Sequence, residues 1–288
     1  MTGGGQVNIG PVGFRISGAG VSGEAYAHWP YADFTAPAFE VGLECEVTVL
    51  CGSRPCPAEP ALFVSGRHWV VWDHGGRLTF CAGIEGRSTA RWTAETSPDL
   101  TRVDLWIDEQ DSRAPLVYPI DQILCWGLLG RCGGALLHAA LVEHDGEGWL
   151  LSGRSGVGKS TLAGLCGDAG WTVLNDDRSV VFPRGATWFA AGTPWHGAGL
   201  HAANRVVPLR GLLLLEQGDR EEIIPMERQA ALRRLLDVTS VPWFLDSWSE
   251  ATCSALEHLV SRQEVSRCVF RPVPEAVRVL EGKGVVAV

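Results

Sequence analysis

The stretch Gly153-Arg154-Ser155-Gly156-Val157-Gly158-Lys159-Ser160-Thr161 follows the apolar run GWLLS and leads into LAGLCGDAG. It fits G-x-x-x-x-G-K-[ST], a pattern made for phosphate. Its glycines let the backbone wrap an anion with N–H groups, and the N-terminus of a following helix adds partial positive charge. Lys159 is placed to reach the outer phosphates of ATP, and the Ser160 hydroxyl is placed to ligate Mg2+. Only Lys159 and Lys283 are lysines, so a chance match is less expected here than in a lysine-rich chain. The carboxylates come early: Asp176 and Asp177 follow Lys159 by 17 and 18 residues. A strand–loop–helix–strand unit of that length predicts a second strand beside the first by a right-handed crossover, its end facing the phosphates. Alternation sends the two aspartates in different directions. One can face the metal or the nucleophile while the other is held by neighbouring groups.

Transfer of phosphate to a hydroxyl needs positioning, charge neutralisation and a base near the attacking oxygen. One of Asp176 and Asp177 is the candidate base, the choice left open by alternation alone. His138, in the apolar run ALLHAALV, reads either as a core histidine or as a group that orients that carboxylate or touches a phosphoryl oxygen. Arg154, Arg178, Arg205 and Arg210 are candidates for phosphate charge, and Arg210 is preferred. The turn-like GTPWHG, Gly192 to Gly197, places Trp195 and His196 where they line an acceptor channel or form a rigid turn packed on the core, the latter preferred. Motor, guanine-reading and nucleoside-monophosphate patterns are absent: no LSGGQ-like signature, no NKxD-like motif and no arginine-rich lid.

The segment LLHAALVEHDGEGWLLSGRSGVGKSTLA…WTVLNDDRSVV resembles the catalytic core of the bacterial HPr kinase/phosphorylase family, over roughly residues 130 to 216. That family phosphorylates a serine on a small carrier protein. The resemblance implies His138 near the transferred phosphate, Lys159 and Gly153–Ser160 as the phosphate cradle, and Asp177 as the base for the acceptor serine. LRGLLLL, with Arg210 and Gly211, resembles the family's IRGLGI segment. Where the family carries a metal-binding glutamate two residues before the arginine, Pro208 stands here, so Asp176 or Glu216 is expected to serve beside Ser160. The whole chain looks more like the short HPr-kinase-like proteins of modified-peptide biosynthesis, including lasso peptides. What this implies is an ATP- and Mg2+-dependent serine kinase acting on a peptide or small protein, with oligomers as in the parent family. A nucleotide-binding accessory module and a kinase of a small-molecule hydroxyl are the alternatives.

The elements that must hold these residues read as α/β: a P-loop kinase core over 121–288, preceded by a smaller β-rich domain over 1–120. Short alternating runs such as ECEVTVL, RHWVVWD, RLTFCAG and RVDLWID are separated by Gly and Pro clusters. VVWDHGGRLTF predicts a hairpin turning at His74-Gly75-Gly76. Helices are predicted in DQILCWGLLGRCGG, KSTLAGLCGDAG, MERQAALRRLLDVT and SEATCSALEHLVSRQ. A second glycine pattern, GAGVSG at Gly18 to Gly23, is followed by Pro30 with no βαβ unit and reads as a surface turn rather than a dinucleotide site. Hydrophobic residues make up 46% of the 288, enough for a buried core. The net charge of -9 argues against nucleic acid or an anionic membrane as partner. No signal peptide and no apolar run of spanning length is seen. Nine cysteines without a C-x-x-C pair read as free thiols in the cytoplasm. Zinc held by Cys45, Cys51 and Cys56 is disfavoured by spacing.

Overall fold

The computed structural model describes residues 4–18, 21, 26, 28, 30–66, 68–83, 90–107, 116 and 118–282. Apart from Gly18 and Val21, the Gly18–Gly23 stretch lies outside the described residues. The chain divides into two compact units, Met1–Leu128 and Leu129–Val288.

The first unit is a mixed sheet of eight strands: β1 (Gly5–Ile9), β2 (Val12–Gly18), β3 (Leu43–Cys51), β4 (Phe63–Ser65), β5 (Trp69–Asp73), β6 (Leu78–Ala82), β7 (Trp92–Thr96) and β8 (Arg102–Ile107). Their order is β1-β2-β3-β8-β7-β6-β5-β4. β2, β3 and β8 run parallel, and the other pairs are antiparallel. Strand β3 alternates as its sequence predicts, burying Cys45, Val47 and Val49 and exposing Glu46 and Thr48. The β5–β6 turn falls at His74-Gly75-Gly76, with both glycines at positive φ and the Asp73 carboxylate accepting from the Gly76 amide at 2.7 Å.

Helix α1 (Ile120–Arg131) leads into the second unit. There follow β9 (Ala135–His144), β10 (Glu147–Ser152), α2 (Lys159–Asp168), β11 (Thr172–Asn175), β12 (Arg178–Arg184), β13 (Thr187–Ala191), β14 (Val206–Gln217), β15 (Glu222–Pro225), α3 (Arg228–Leu236), α4 (Asp246–Arg262), β16 (Val265–Phe270) and α5 (Glu275–Leu280). Among the described residues no helix is long and apolar enough to cross a membrane.

The strand after the glycine loop is displaced from its expected place. β11 lies against β9 rather than β10, and the parallel neighbour of β10 is the distant β14. The long β9 makes this arrangement work. Its first half, Ala135 to His138, pairs with β12, and its second half, Ala139 to His144, pairs with β10. β14 likewise meets β13 early and β10 later. The pairings therefore run from β9 through β12, β13, β14 and β10 back to β9, closing a ring. Leu137, Leu141, Leu150, Leu174, Leu212 and Leu214 are buried together in one core cluster. A second cluster packs Leu162, Ala163 and Cys166 of α2 against Ala140, Leu151 and Phe270.

Candidate active site

β9 changes partners at one point. His138 lies opposite Arg178 of β12, and the next residue, Ala139, lies opposite Ser152, the last residue of β10. β10 and β12 lie on opposite edges of β9, and their ends meet at this point. The glycine loop leaves β10 at that point, and the Asp176-Asp177 turn enters β12 there.

The loop needs its glycines. Gly158 has φ +106, and a Cβ on it would lie 2.9 Å from the Phe270 ring. Gly153 is closed off in the same way by Val157, 2.8 Å from its Cβ position. Arg154, Ser155 and Gly156 are exposed, and Val157 and Gly158 are half-buried. Lys159 is only 7% exposed. Its Nζ donates to the carbonyls of Gly153 at 3.0 Å and Arg154 at 3.3 Å. Burial lowers its pKa, and the charge of Asp177 acts in the opposite sense. Helix α2 begins at this lysine with no side-chain cap, so its leading amides are free of an intrahelical partner and suited to an anion. Ser160 and Thr161 are exposed on its first turn.

His138 Nε2 lies 3.0 Å from Asp177 Oδ1, and Arg178 Nε lies 3.5 Å from Asp177 Oδ2. The hydrogen bond from His138 holds the Asp177 carboxyl below its ordinary range; burial opposes this, and the charges of Arg178, His138 and Lys159 add to it. Asp177 is thus an ionised acceptor over the neutral range. The structure therefore brings His138, Asp177 and Lys159 together.

Two other expectations are corrected. Asp176 is 3% exposed, and its carboxylate accepts from the amides of Gly197 at 2.8 Å, Gly199 at 2.6 Å and His201 at 3.4 Å. It clamps the 197–201 loop, which leaves it poorly placed for the metal role expected beside Ser160. Arg210 sits at the wrong end of the sheet. Its neighbours Leu209 and Gly211 pair with Gly148 and Trp149 near the start of β10, while Leu214 pairs with Ser152. At about 3.3 Å per residue, Arg210 is roughly 13 Å short of the glycine loop. It contacts Glu147 at 3.5 Å, and both are well exposed. Gly211 beside it leaves room for the ring of Trp149, 2.6 Å from where a Cβ would stand. The arginine–glycine pair is accounted for by packing.

Glu216 does reach the loop end. It lines a cavity of about 450 Å³ with Gly153, Arg154, Val157 and Arg234. Its carboxylate lies 3.2 Å from Arg267 and 3.9 Å from Arg234. Arg154 contacts Asp237 at 3.4 Å across the same cavity.

Asn175 is the residue the motif reading missed. It is fully buried. Its Oδ1 accepts from the amides of Asp177 at 2.8 Å and Arg178 at 2.7 Å. Its Nδ2 donates to the carbonyls of Thr193 and Trp195. Thr193 in turn donates to the Arg178 carbonyl at 2.7 Å. This network fixes the turn on which Asp177 stands. The signal was present in the asparagine directly before the two aspartates, a residue that caps turns through its own side chain. Trp195 is 7% exposed, as a rigid turn packed on the core requires.

Comparison with known proteins adds the following. No curated protein matches the chain. The Hpr(Ser) kinase/phosphatase from Coxiella burnetii is similar over 52% of this chain and 99% of that one, at 17% identity and a TM-score of 0.29, a likeness too slight to say how this chain folds or acts. The family described as SynChlorMet cassette protein ScmC matches residues 120–269. That match spans just over half of the 288 residues and takes in β9, the glycine loop, the Asp176-Asp177 turn and β14. The chain belongs to the ScmC family.

Proposed function

We propose that this protein is a kinase that transfers the γ-phosphoryl group of ATP to a serine hydroxyl of a peptide or small protein. The observation that carries the reading is the His138–Asp177 pair at 3.0 Å beside Lys159 at the mouth of the glycine loop. A module that only binds nucleotide has no use for a carboxylate held ionised on the acceptor side. In the reaction, the glycine-loop amides and Lys159 hold the β- and γ-phosphates. The acceptor Oγ forms a bond to the γ-phosphorus, the bond from that phosphorus to the ADP oxygen breaks, and ADP departs. The hydroxyl proton passes to Asp177. His138 holds Oδ1 at 3.0 Å and Arg178 Nε lies 3.5 Å from Oδ2, and Oδ2, the less tightly held oxygen, meets the acceptor.

Among the described residues no three His, Cys, Asp or Glu side chains converge as a metal cage. Mg2+ is held by few protein groups together with substrate phosphates and water, so it needs no such cage. Ser160 is the residue that would hold it, and the ion would supply charge neutralisation at the phosphates. Nine free thiols support a cytoplasmic setting.

The accessory-module reading has one observation in its favour: Asp176 is engaged by three amides and Glu216 by two guanidinium groups. Incubating the full chain with ATP, Mg2+ and serine-containing peptides, read by mass spectrometry, separates the two. Phosphoserine that disappears in Lys159→Ala and Asp177→Asn supports the kinase. ATP binding without transfer to any acceptor supports the module.

A further inference from the structure

The described residues of the second unit leave only two large apolar side chains exposed, Leu200 at 60% and Trp243 at 65%. Each lies on a segment tied directly to the catalytic group. Leu200 belongs to the loop clamped by Asp176 through Gly197 and Gly199. That loop also packs on Asp177, whose Cβ lies 3.3 Å from the Cβ position of Gly197. Trp243 follows the segment whose Val238 carbonyl accepts from the His138 amide at 2.7 Å and whose Ser240 hydroxyl accepts from Arg178 Nη1 at 3.1 Å. Thr239 pairs with Leu137 on one edge of β9, while the aspartate turn lies on the other. Only Val241 and Pro242 separate Ser240 from Trp243, at most about 10 Å of chain.

Neither side chain is explained by the core. Leu200 has φ +59, a left-handed conformation that leucine rarely adopts, and such strain gathers at functional sites. Both segments also lack charge. Residues 195–204 and 238–245 contain no Asp, Glu, Lys or Arg. An acidic or phosphorylated acceptor would call for basic walls here, and a small polar metabolite would leave two apolar side chains without a task.

We infer that Leu200 and Trp243 grip apolar residues on either side of the accepting hydroxyl, so that the acceptor is a polypeptide segment whose serine has apolar neighbours. This rests on the kinase reading for the hydroxyl's fate but makes its own claim about binding. Two fluorescein-labelled synthetic peptides test it, identical except that the serine is flanked by leucines in one and by aspartates in the other. By fluorescence anisotropy, the full chain is expected to bind the leucine peptide at least tenfold tighter, on the order of one buried apolar side chain. Trp243→Ala and Leu200→Gly, the latter compatible with positive φ, are each expected to bring the two affinities to within about threefold. Equal binding by the unaltered chain, or a preference that survives both substitutions, overturns the inference. Mass spectrometry of the same mixtures with ATP and Mg2+ separates the two claims. Preferential binding without phosphoserine keeps the apolar site and removes the kinase. Equal phosphorylation of both peptides keeps the kinase and removes the apolar site.

Discussion

Strands β10 and β14 run side by side and have two very different ends. At one end lie the glycine loop, the buried Lys159 and the Asp177 turn, where polar groups are cross-braced by His138, Arg178 and Asn175. At the other end His144 stacks on Trp171, with ring centroids 4.5 Å apart and planes 9° apart, and Trp149 stands 6.4 Å from Trp171. Arg210 and Glu147 lie there in a cavity of about 540 Å³, larger than the 450 Å³ cavity beside the loop. The larger space is the less chemical one. An exposed pair such as Arg210–Glu147 contributes little, about 0–1 kcal/mol, and holds nothing in register. A charge becomes useful for chemistry when burial and hydrogen bonds fix its geometry, which is how Lys159 and Asp177 are held.

The largest effect that sharpens this contrast is at the proposed base, Asp177. Asp177→Asn is expected to reduce phosphate transfer by about 10²–10⁴-fold while ATP binding stays measurable by calorimetry. Wild-type transfer in that variant would remove the distinction between the two ends. Next comes the brace. Asn175→Ala leaves the amides of Asp177 and Arg178 without their acceptor, and a misplaced base costs up to about 10²-fold in rate. The same variant should lose about 1–3 kcal/mol of stability, read as a lower denaturant midpoint. A smaller effect is expected in the pH profile of His138→Ala. Asp177 accepts a proton only when ionised, above its pKa, and the His138 hydrogen bond is the main cause of that pKa being low. Its loss raises the pKa, so the acid-side fall in kcat/KM should move to higher pH; an unmoved limb would show that His138 does not tune the base. The smallest effect is at the far end, where Arg210→Ala should change kcat/KM by no more than about twofold, as expected for a surface substitution. A hundredfold loss there would reverse the assignment of the ends.

These differences mark what could be read from the residues alone. The loop was legible because glycine, lysine and hydroxyl positions are set by local backbone geometry. His138 and Asp177 were legible as candidates through the resemblance of their segments to the HPr kinase core, and the structure sets them 3.0 Å apart. Arg210 misled because its residue type and its glycine neighbour say nothing of register. Five rows of pairing between β10 and β14 decide which end it occupies, and those strands are far apart in sequence. Asp176 misled for a related reason. Alternation says that two adjacent aspartates diverge, but the loop that claims one of them begins 21 residues later. β11 was placed one strand away from its seat because β9, which comes before the loop, takes the intervening position. In the N-terminal unit the alternating runs were readable as strands, whereas the parallel pairing of β2, β3 and β8 was not, since alternation looks alike in either direction.

The ring that β9 closes also governs how this unit can meet other chains. A strand with a neighbour on only one side offers unpaired backbone groups to any passing strand. Among the described residues of the second unit, only β11 and β15 are left in that position, each four residues long, and β15 ends in Pro225. The strand that feeds the glycine loop is flanked on both sides by β9 and β14. The loop is therefore carried on backbone that cannot be recruited into another sheet, and its shape is protected from association at the unit's edges.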